Sequence, residues 1–432
     1  IVNDLGIALG TGFSVGPFQW GLVGKRIVRT GARRSYGAGT IADIASLMYA
    51  DAYDKAQSLQ QAVNGLIEEP TAETLVAAKS AYSAARIAYQ PTEFMRFDEA
   101  FIKTAPEDDG GLASVDAWEG QVNAWPLDEA LIDYVAANYS GGKPDNGASI
   151  IANRSIVING ETRDTSAINK ELLSSLNEIG GSEANVATGY HAIEFLLWGQ
   201  DNSQAKGVAG QRPASDYAEG AACTNGNCDR RGDYLRAVTG LLVDDLAAMK
   251  AEWQAGGNGK TLRSDFLALA PEVATQRLFY GIGSIALGET ASERMRVARI
   301  SNSPEDEHDC FSDLSHRVYH ANGLGIQAAY LGSYTTADGK KTTGNGLSRI
   351  VEAVDGEAAV KVSMALAKAM TALTALKESG DAGETFDYLI DGNDSEKRVL
   401  AAETALIEFT EVLEQAAQKM GIRVDSNGGS LL

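Results

Sequence analysis

From Ile41 onward, apolar residues recur every three or four positions, which is the spacing that places side chains on one face of an α-helix. Ile41, Ile44, Ala45 and Met48 form the first such stripe, and similar stripes continue to about residue 420. Few prolines interrupt them, 9 in 432 residues, and strand patterns are weak. The sequence therefore predicts an all-α fold.

The length of the chain and the distribution of its helical patterns predict two packed helical-bundle domains. A chain of 432 residues is long for one hydrophobic core, and each half carries several long helical patterns. Residues 1–40 are Gly-rich and basic, and we expect them to form an N-terminal arm without an assigned role. The N-terminal bundle is predicted at 41–215 and the C-terminal bundle at 216–432.

Local signals place individual elements. Thr71 is suited to cap a helix, Pro91 should kink or end that helix, and Pro126 is suited to the first position of another. A short strand is expected at 155–158. Later helices are expected near 166–178, 183–198, 229–254, 271–301, 346–377 and 395–420.

The charge of the chain limits its partners. A net charge of −21 repels phosphate backbones and anionic membranes, so nucleic-acid binding is not expected. The same field concentrates cations, although many exported proteins are acidic simply for solubility. No run of eighteen apolar residues occurs, and no transmembrane segment is expected in this chain.

Two of the three cysteines bracket a turn. Cys223 and Cys228 flank Thr-Asn-Gly-Asn, a run that lets the chain fold back and join the two sulfurs. A disulfide here would indicate an oxidising compartment. A metal-binding cysteine pair is the alternative, but a second pair of soft ligands is not nearby. Cys310 is left over beside His308 and Asp309.

The strongest chemical signal is the stretch Gly-Tyr-His-Ala-Ile-Glu at 189–194. On a helix, residues three apart share a face, so His191 and Glu194 can converge on one ion. Their neighbours are apolar, and a cation would offset the cost of burying the carboxylate. A simple hydrogen bond between the two side chains inside the core explains the pattern equally well.

This motif also carries a family resemblance. Residues 185–200 resemble the Gly-x-His-x-x-Glu signature of the imelysin-like family, also known as the peptidase M75 or iron-regulated protein A group. Further segments resemble the iron-regulated protein A branch of that family. They are Trp118–Glu129, Gly210–Pro213, Gly288–Met295 and Glu307–Asp313.

The resemblance implies an imelysin-like, two-bundle helical fold in a protein exported to the periplasm or attached to the outer membrane of a Gram-negative bacterium. It implies a link to iron uptake. It also brings a metallopeptidase label, which the residues support poorly. A helical zinc peptidase site is typically His-Glu-x-x-His, and this chain has no such motif and only 4 histidines.

Additional ligands would have to come from other helices. Glu93 lies where the second helix meets Pro91 and is one candidate, although it could equally be a surface acid near a kink. Glu289 and Glu293 are four apart among glycines that permit close helix approach. Two like charges on one face need an offset from Arg294, from Arg296 or from a cation.

Two further residues are weaker candidates. Asp133 follows Glu129 by four positions, but acids near a helix start are stabilised by the helix dipole in any case. His308 lies in the acidic stretch 304–310, which could hold a second cation or be a solvated loop.

The leading interpretation is a metal-binding protein of iron acquisition. Its expected ligands are His191, Glu194, Glu93 and Glu289, with Asp133, Glu293 and His308 as weaker ones. The bound ion is expected to be divalent, with iron favoured by the resemblance and zinc or calcium also compatible. A membrane iron-uptake component is the expected partner. The alternatives are a zinc-dependent metallopeptidase of the imelysin type, with Glu194 as its catalytic residue, and a helical module that binds a non-metal ligand or a partner.

Overall fold

The computed structural model describes residues 37–96, 115–136, 149–203, 205–257 and 259–422. The predicted arm lies outside these residues except for positions 37–40, where the first helix begins. The all-α prediction is confirmed, because the only sheets in the described ranges are two antiparallel hairpins, β1–β2 and β3–β4. β1 is Ser155–Ile158, as predicted, and its partner β2 is Glu161–Asp164.

The helices before residue 260 include three long ones. They are α1 Ala38–Glu68, α2 Ala72–Tyr89, α3 Val115–Val122, α4 Glu129–Ile132, α5 Lys170–Leu176, α6 Gly189–Trp198 and α7 Cys228–Trp253. Short 3₁₀ segments lie at Gln90–Met95, Ile179–Gly181, Ala214–Tyr217 and Gly220–Ala222.

The later part of the chain contains helices and one hairpin, formed by β3 Ser333–Thr335 and β4 Lys341–Thr343. The helices are α8 Leu262–Ala268, α9 Pro271–Gly283, α10 Val297–Ser301, α11 Ser315–Leu331, α12 Leu347–Val354, α13 Gly356–Asp381, α14 Phe386–Tyr388 and α15 Arg398–Lys419. π-helical segments lie at Ser284–Arg296 and Leu389–Asn393, and a 3₁₀ turn lies at Pro304–Asp306.

Several local predictions can be compared with these bounds. Thr71 caps α2 in a reciprocal capping box with Thr74, and the helix gives way to a 3₁₀ turn at Pro91, as expected. Pro126 does not begin a helix, so that prediction was wrong. α4 begins at Glu129 instead, because the side chain of Asp128 accepts a hydrogen bond from the Ala130 amide and supplies the cap.

The long helices pack in two groups. α1 packs against α2 and α7, while α13 packs against α15 and α11. The division of the chain at residue 215 stays a prediction, and α7, which follows it, lies on α1. α13 is long and apolar enough to cross a membrane by length and composition, which a helix packed within a protein body also satisfies. The predicted disulfide joins Cys223 and Cys228 at the start of α7.

α6 packs against the first of these two groups. Every one of its residues is buried, and it contacts both α2 and α7. The 3₁₀ segment that follows α2 packs against α11 and α9. This packing brings the motif helix α6 close to residues 307–314, which form the segment before α11. The site described next lies where the two meet.

Candidate metal centre

The glycine that opens the motif has a geometric role. Gly189 begins α6 with a φ of 77°, a left-handed conformation that side chains with a Cβ rarely adopt. A Cβ at this position would lie 2.4 Å from the carbonyl oxygen of Val122. Glycine therefore lets the start of α6 lie directly against the end of α3, and this contact fixes the position of the histidine two residues later.

His191 and Glu194 share one face of α6, as the spacing predicted. The Nδ1 atom of His191 lies 3.1 Å from Oε2 of Glu194, and both side chains are at most 1% exposed. The other carboxylate oxygen of Glu194 accepts hydrogen bonds from the Ser312 amide at 3.0 Å and the Ser312 hydroxyl at 2.6 Å. The segment before α11 thus holds Glu194 in place.

An arginine from α2 lies on the other side of the imidazole. Nη2 of Arg86 is 3.1 Å from Nε2 of His191, and Nε of Arg86 donates to Oδ1 of Asp309 at 2.6 Å. Because a guanidinium only donates, Nε2 of His191 must accept and Nδ1 must carry the proton that faces Glu194. The geometry therefore fixes the tautomer of His191.

His308 completes this cluster. Its Nδ1 atom lies 2.9 Å from Oδ2 of Asp309 and 3.3 Å from Nη2 of Arg86. Its ring packs edge-to-face against that of His191, with ring centres 4.8 Å apart. The weaker candidate His308 is thus a neighbour of the motif histidine, and its next residue in sequence supplies the second carboxylate of the cluster.

Burial shapes the ionisation of these groups. Burial and the charge of Arg86 lower the pKa of His191 to about 3. Burial, then the charge of Asp309, raises the pKa of Glu194 to about 8, against the opposing effect of Ser312 and Arg86. The imidazole is therefore neutral at neutral pH and able to bind a metal, and the Glu194 carboxylate is destabilised without an adjacent positive charge.

Three of these side chains are suited to hold a metal ion. His191, Glu194 and Asp309 each offer a ligand atom, and the three atoms lie within 4.8 Å of one another. One imidazole with two carboxylates is a donor set that iron, zinc and manganese accept. The residues present fit a divalent transition metal, with Arg86 as the positive charge that now faces Asp309.

Glu93 lies in a neighbouring charge network and is not among these three residues. It receives hydrogen bonds from both terminal nitrogens of Arg294 at 2.8 Å and from Asn322 at 2.6 Å. Although burial raises the pKa of Glu93, the charge and hydrogen bonds of Arg294 lower it to about 2. Asn123 bridges the two networks, because it contacts Arg86 and donates to Glu93 at 3.1 Å.

The π-helical segment explains the placement of Glu289 and Glu293. In a π-helix, residues five apart come together, so Glu289 accepts from Arg294 at 3.1 Å. Glu289 also pairs with Arg96 at 3.1 Å, whereas Glu293 is half-buried. The structure therefore associates Glu289 with the Glu93–Arg294 network rather than with His191. Glu293 lies near the same network, because the charge of Glu289 adds to burial in raising the pKa of Glu293.

Asp133 is held elsewhere. Its carboxylate pairs with Arg212 at 2.6 Å and with Arg231 at 2.7 Å. Both arginines are buried beside it, so the charge of Asp133 is compensated where it lies. The structure does not bring this residue to the His191 cluster.

Sequence reasoning missed Arg86, Asp309 and Ser312 as members of the site. Arg86 lies on the buried face of α2, between Tyr82 and Tyr89. A charged residue on an otherwise apolar helix face could have indicated a buried functional group. Asp309 stands next to His308 in a segment that already drew attention. Neither pattern indicates that these two residues meet, since they are 223 positions apart.

A model of the imelysin family, labelled as peptidase M75, matches residues 45–413. This chain belongs to the imelysin family. Two solved structures share the fold of this imelysin-family chain. A putative iron-regulated protein A precursor from Parabacteroides distasonis ATCC 8503 has a TM-score of 0.61 at 16% identity, covering 90% of this chain and 97% of that one.

The second structure is an imelysin-like protein from Psychrobacter arcticum 273-4. It has a TM-score of 0.54 at 14% identity, again covering 90% of this chain and 97% of that chain. A search of curated proteins returned no match. At these identities the two imelysin-type structures establish the fold, and the chemistry of the site has to be argued from the residues of this chain.

Proposed function

We propose that this protein binds one divalent metal ion, with iron favoured, through His191, Glu194 and Asp309. The observation that carries the proposal is the convergence of their three ligand atoms, within 4.8 Å of one another, in a fully buried position. When bound, the ion would supply the positive charge that two neighbouring carboxylates require. The protein's own contribution is to present the ligands and to exclude water.

Arg86 gives the site a built-in competitor. In this structure its guanidinium neutralises Asp309 and donates toward Nε2 of His191. A divalent ion would compete with Arg86 for the Asp309 carboxylate. Asn123 and His308 are further partners of Arg86, so the arginine stays partly satisfied when its contact with the ligands weakens.

We assign this metal site to iron acquisition in the periplasm or at the outer membrane of a Gram-negative bacterium, with a membrane iron-uptake component as the partner. The disulfide between Cys223 and Cys228 supports an oxidising compartment. Iron is favoured because one of the similar structures has the name iron-regulated protein A. The donor set itself also accepts zinc.

The peptidase label of the family describes a different use of a metal. A peptidase must admit a polypeptide to the ion, whereas His191, Glu194 and Asp309 are each at most 1% exposed. A small ion needs only a side-chain opening to reach them. Metal binding without peptide cleavage is therefore the function that the burial of the site favours.

The test is a titration of the full chain, purified without a nickel column, with Fe²⁺ under anaerobic conditions and with Zn²⁺. We expect one equivalent to bind to the wild type and binding to weaken at least about 100-fold in His191→Ala, since one of three protein ligands is lost. His320→Ala is the matched control, because it removes a partly exposed imidazole elsewhere. Equal binding by both variants would refute the proposal.

A further inference from the structure

A second group of carboxylates lies close to the first site. Asp201, Asp313 and Asp387 each offer an oxygen, and these oxygens lie within 4.8 Å of one another. They come from three separate parts of the chain: the loop after α6, the turn before α11, and α14. Glu307, from the acidic stretch noted in the sequence, lies near enough for the charges of Asp387 and Asp313 to act on it.

Three of the four carboxylates are buried without a hydrogen-bond partner of normal geometry among the described residues, whereas Asp201 is partly buried and accepts a hydrogen bond from the Ser203 amide at 2.9 Å. Both side-chain oxygens of Glu307, Asp313 and Asp387 are without a hydrogen bond of normal geometry, and the three side chains are 0%, 4% and 1% exposed, respectively. Within the described residues, none of them forms an ion pair with a lysine, arginine or histidine. A buried carboxylate with no compensating group is costly, so this arrangement calls for a positive charge.

The electrostatics of the group agree with the geometry. Burial and the charges of Asp387 and Asp201 raise the pKa of Asp313 to about 9. Burial raises the pKa of Asp201 to about 7. Either shared protons or a bound cation must relieve the repulsion among these groups.

We infer that Asp201, Asp313 and Asp387 bind a calcium ion, with Glu307 beside it. Among the described residues the donors are all carboxylate oxygens, which hard cations prefer, with no nitrogen or sulfur ligand in the group. Calcium takes oxygens at about 2.3–2.6 Å, so two ligands of one ion are at most roughly 5 Å apart. The separation of these oxygens, within 4.8 Å, meets that limit.

The proposed calcium site lies next to the cluster of His191, Glu194 and Asp309. Glu307 and Asp313 flank Asp309 and Ser312, the residues that face His191 and Glu194. Asp201 follows the end of α6 by three residues. An ion bound by these residues would connect the segment before α11 to the end of α6. It would thereby hold Asp309 in position relative to His191 and Glu194.

The inference goes beyond the proposed function and can be tested apart from it. The experiment is a calorimetric Ca²⁺ titration of metal-stripped full-length protein, with thermal melts in 1 mM Ca²⁺ and in chelator. We expect one equivalent to bind in both the wild type and His191→Ala, with Tm raised by at least about 3 °C. Calcium binding that is lost in His191→Ala would place the ion at the first site and overturn the inference.

Asp387→Asn tests the ligand assignment, and Asp391→Asn is its matched control, because Asp391 is an exposed acid four positions away. We expect Asp387→Asn to weaken calcium binding at least about 30-fold and Asp391→Asn to change it by less than about twofold. Asp313→Asn is a second ligand variant if Asp387→Asn does not fold. Equal binding by the ligand and control variants, or no binding by the wild type at 10 mM Ca²⁺, would overturn the inference.

Discussion

The two carboxylate clusters beside the segment before α11 differ in how their charge is balanced. In the first cluster, Arg86 lies 2.6 Å from Asp309 and faces His191, so a side chain of the protein supplies a positive charge. In the second cluster, Asp313 and Asp387 are buried with no such cationic partner among the described residues. Under our two proposals, an ion at the first cluster displaces Arg86, whereas an ion at the second displaces no internal cation.

The donor atoms differ as well. An imidazole with two carboxylates suits borderline transition metals, and an all-carboxylate group suits hard cations. Both clusters use the same short segment, since Asp309 and Ser312 belong to the first and Glu307 and Asp313 to the second. Under our two proposals, neighbouring residues in one segment serve two ions with different ligand preferences.

The largest effect is expected when the internal cation of the first cluster is removed. Arg86→Met leaves Asp309, which is 0% exposed, without its partner and should lower the free energy of unfolding by about 3–5 kcal/mol. Urea unfolding in chelator measures this loss. The control is Arg349→Met, which breaks an ion pair whose arginine is 64% exposed and should cost less than about 1 kcal/mol. Similar losses in the two variants would contradict the account of Arg86.

The next effect concerns the placement of α6 rather than its ligands. Gly189→Ala forces a Cβ into the Val122 carbonyl at a φ of 77° and should destabilise the protein by about 2–4 kcal/mol. Gly339→Ala is the matched control, since its φ of 87° imposes the same strain but no atom lies within 4 Å. Chemical denaturation of both variants separates the clash from the strain. Equal losses would show that the contact with α3 is unimportant.

Much of the fold could be predicted from the sequence, because the helical period and the caps are local properties. The strand at 155–158 and the Thr71 cap were placed correctly. α11 was missed because its sequence contains several histidines and glycines, which favour a helix only weakly. Tertiary packing stabilises this helix. A Cβ at Gly325 would lie 2.3 Å from the Pro91 carbonyl, so glycine there serves close packing that no local pattern reveals.

The site was only half predictable for the same reason. His191 and Glu194 lie three apart on one helix, and their convergence follows from that spacing. Arg86 and Asp309 are 223 positions apart in sequence and form an ion pair. Their contact depends on how α2 packs against the segment before α11, which local sequence patterns do not indicate. Glu289 was judged by α-helical spacing, but the π-helical segment pairs it with Arg294 five positions on.

A smaller effect is expected in the pH dependence of the metal-free protein. Because the pKa of Glu194 is raised from 4.5 to about 8, the folded state holds a proton that the unfolded chain releases between these values. The stability contributed by this group is therefore lost as pH rises from about 5 to 8. Glu194→Gln should reduce that loss by at least about 2 kcal/mol, as measured by urea unfolding in chelator at pH 5 and pH 8.5. Glu411→Gln changes an exposed acid and should leave that loss unchanged. If stability fell equally with pH in the wild type, Glu194→Gln and Glu411→Gln, burial of Glu194 would not be the cause.

The smallest effect is a cross-test of the two clusters by thermal shift. His191→Ala should lose the Tm increase caused by Zn²⁺ and keep that caused by Ca²⁺, whereas Asp387→Asn should show the reverse. Each shift is expected to be about 3 °C. In chelator, Asp387→Asn should melt at or above the wild-type temperature, because it removes one of several repelling charges. A variant that loses both responses together would show that the two clusters are a single site.

The most direct measurement for the central claim is an anomalous difference map, recorded at the metal edge, from crystals of the full chain loaded with Zn²⁺ or Fe²⁺. The account predicts a single strong peak within bonding distance, about 2.0–2.2 Å, of ligand atoms from His191, Glu194 and Asp309, with Arg86 displaced from one or more of them. A peak beside Glu93 and Glu289 instead, or an ordered Arg86 that keeps all its contacts with no metal peak near His191, would contradict it.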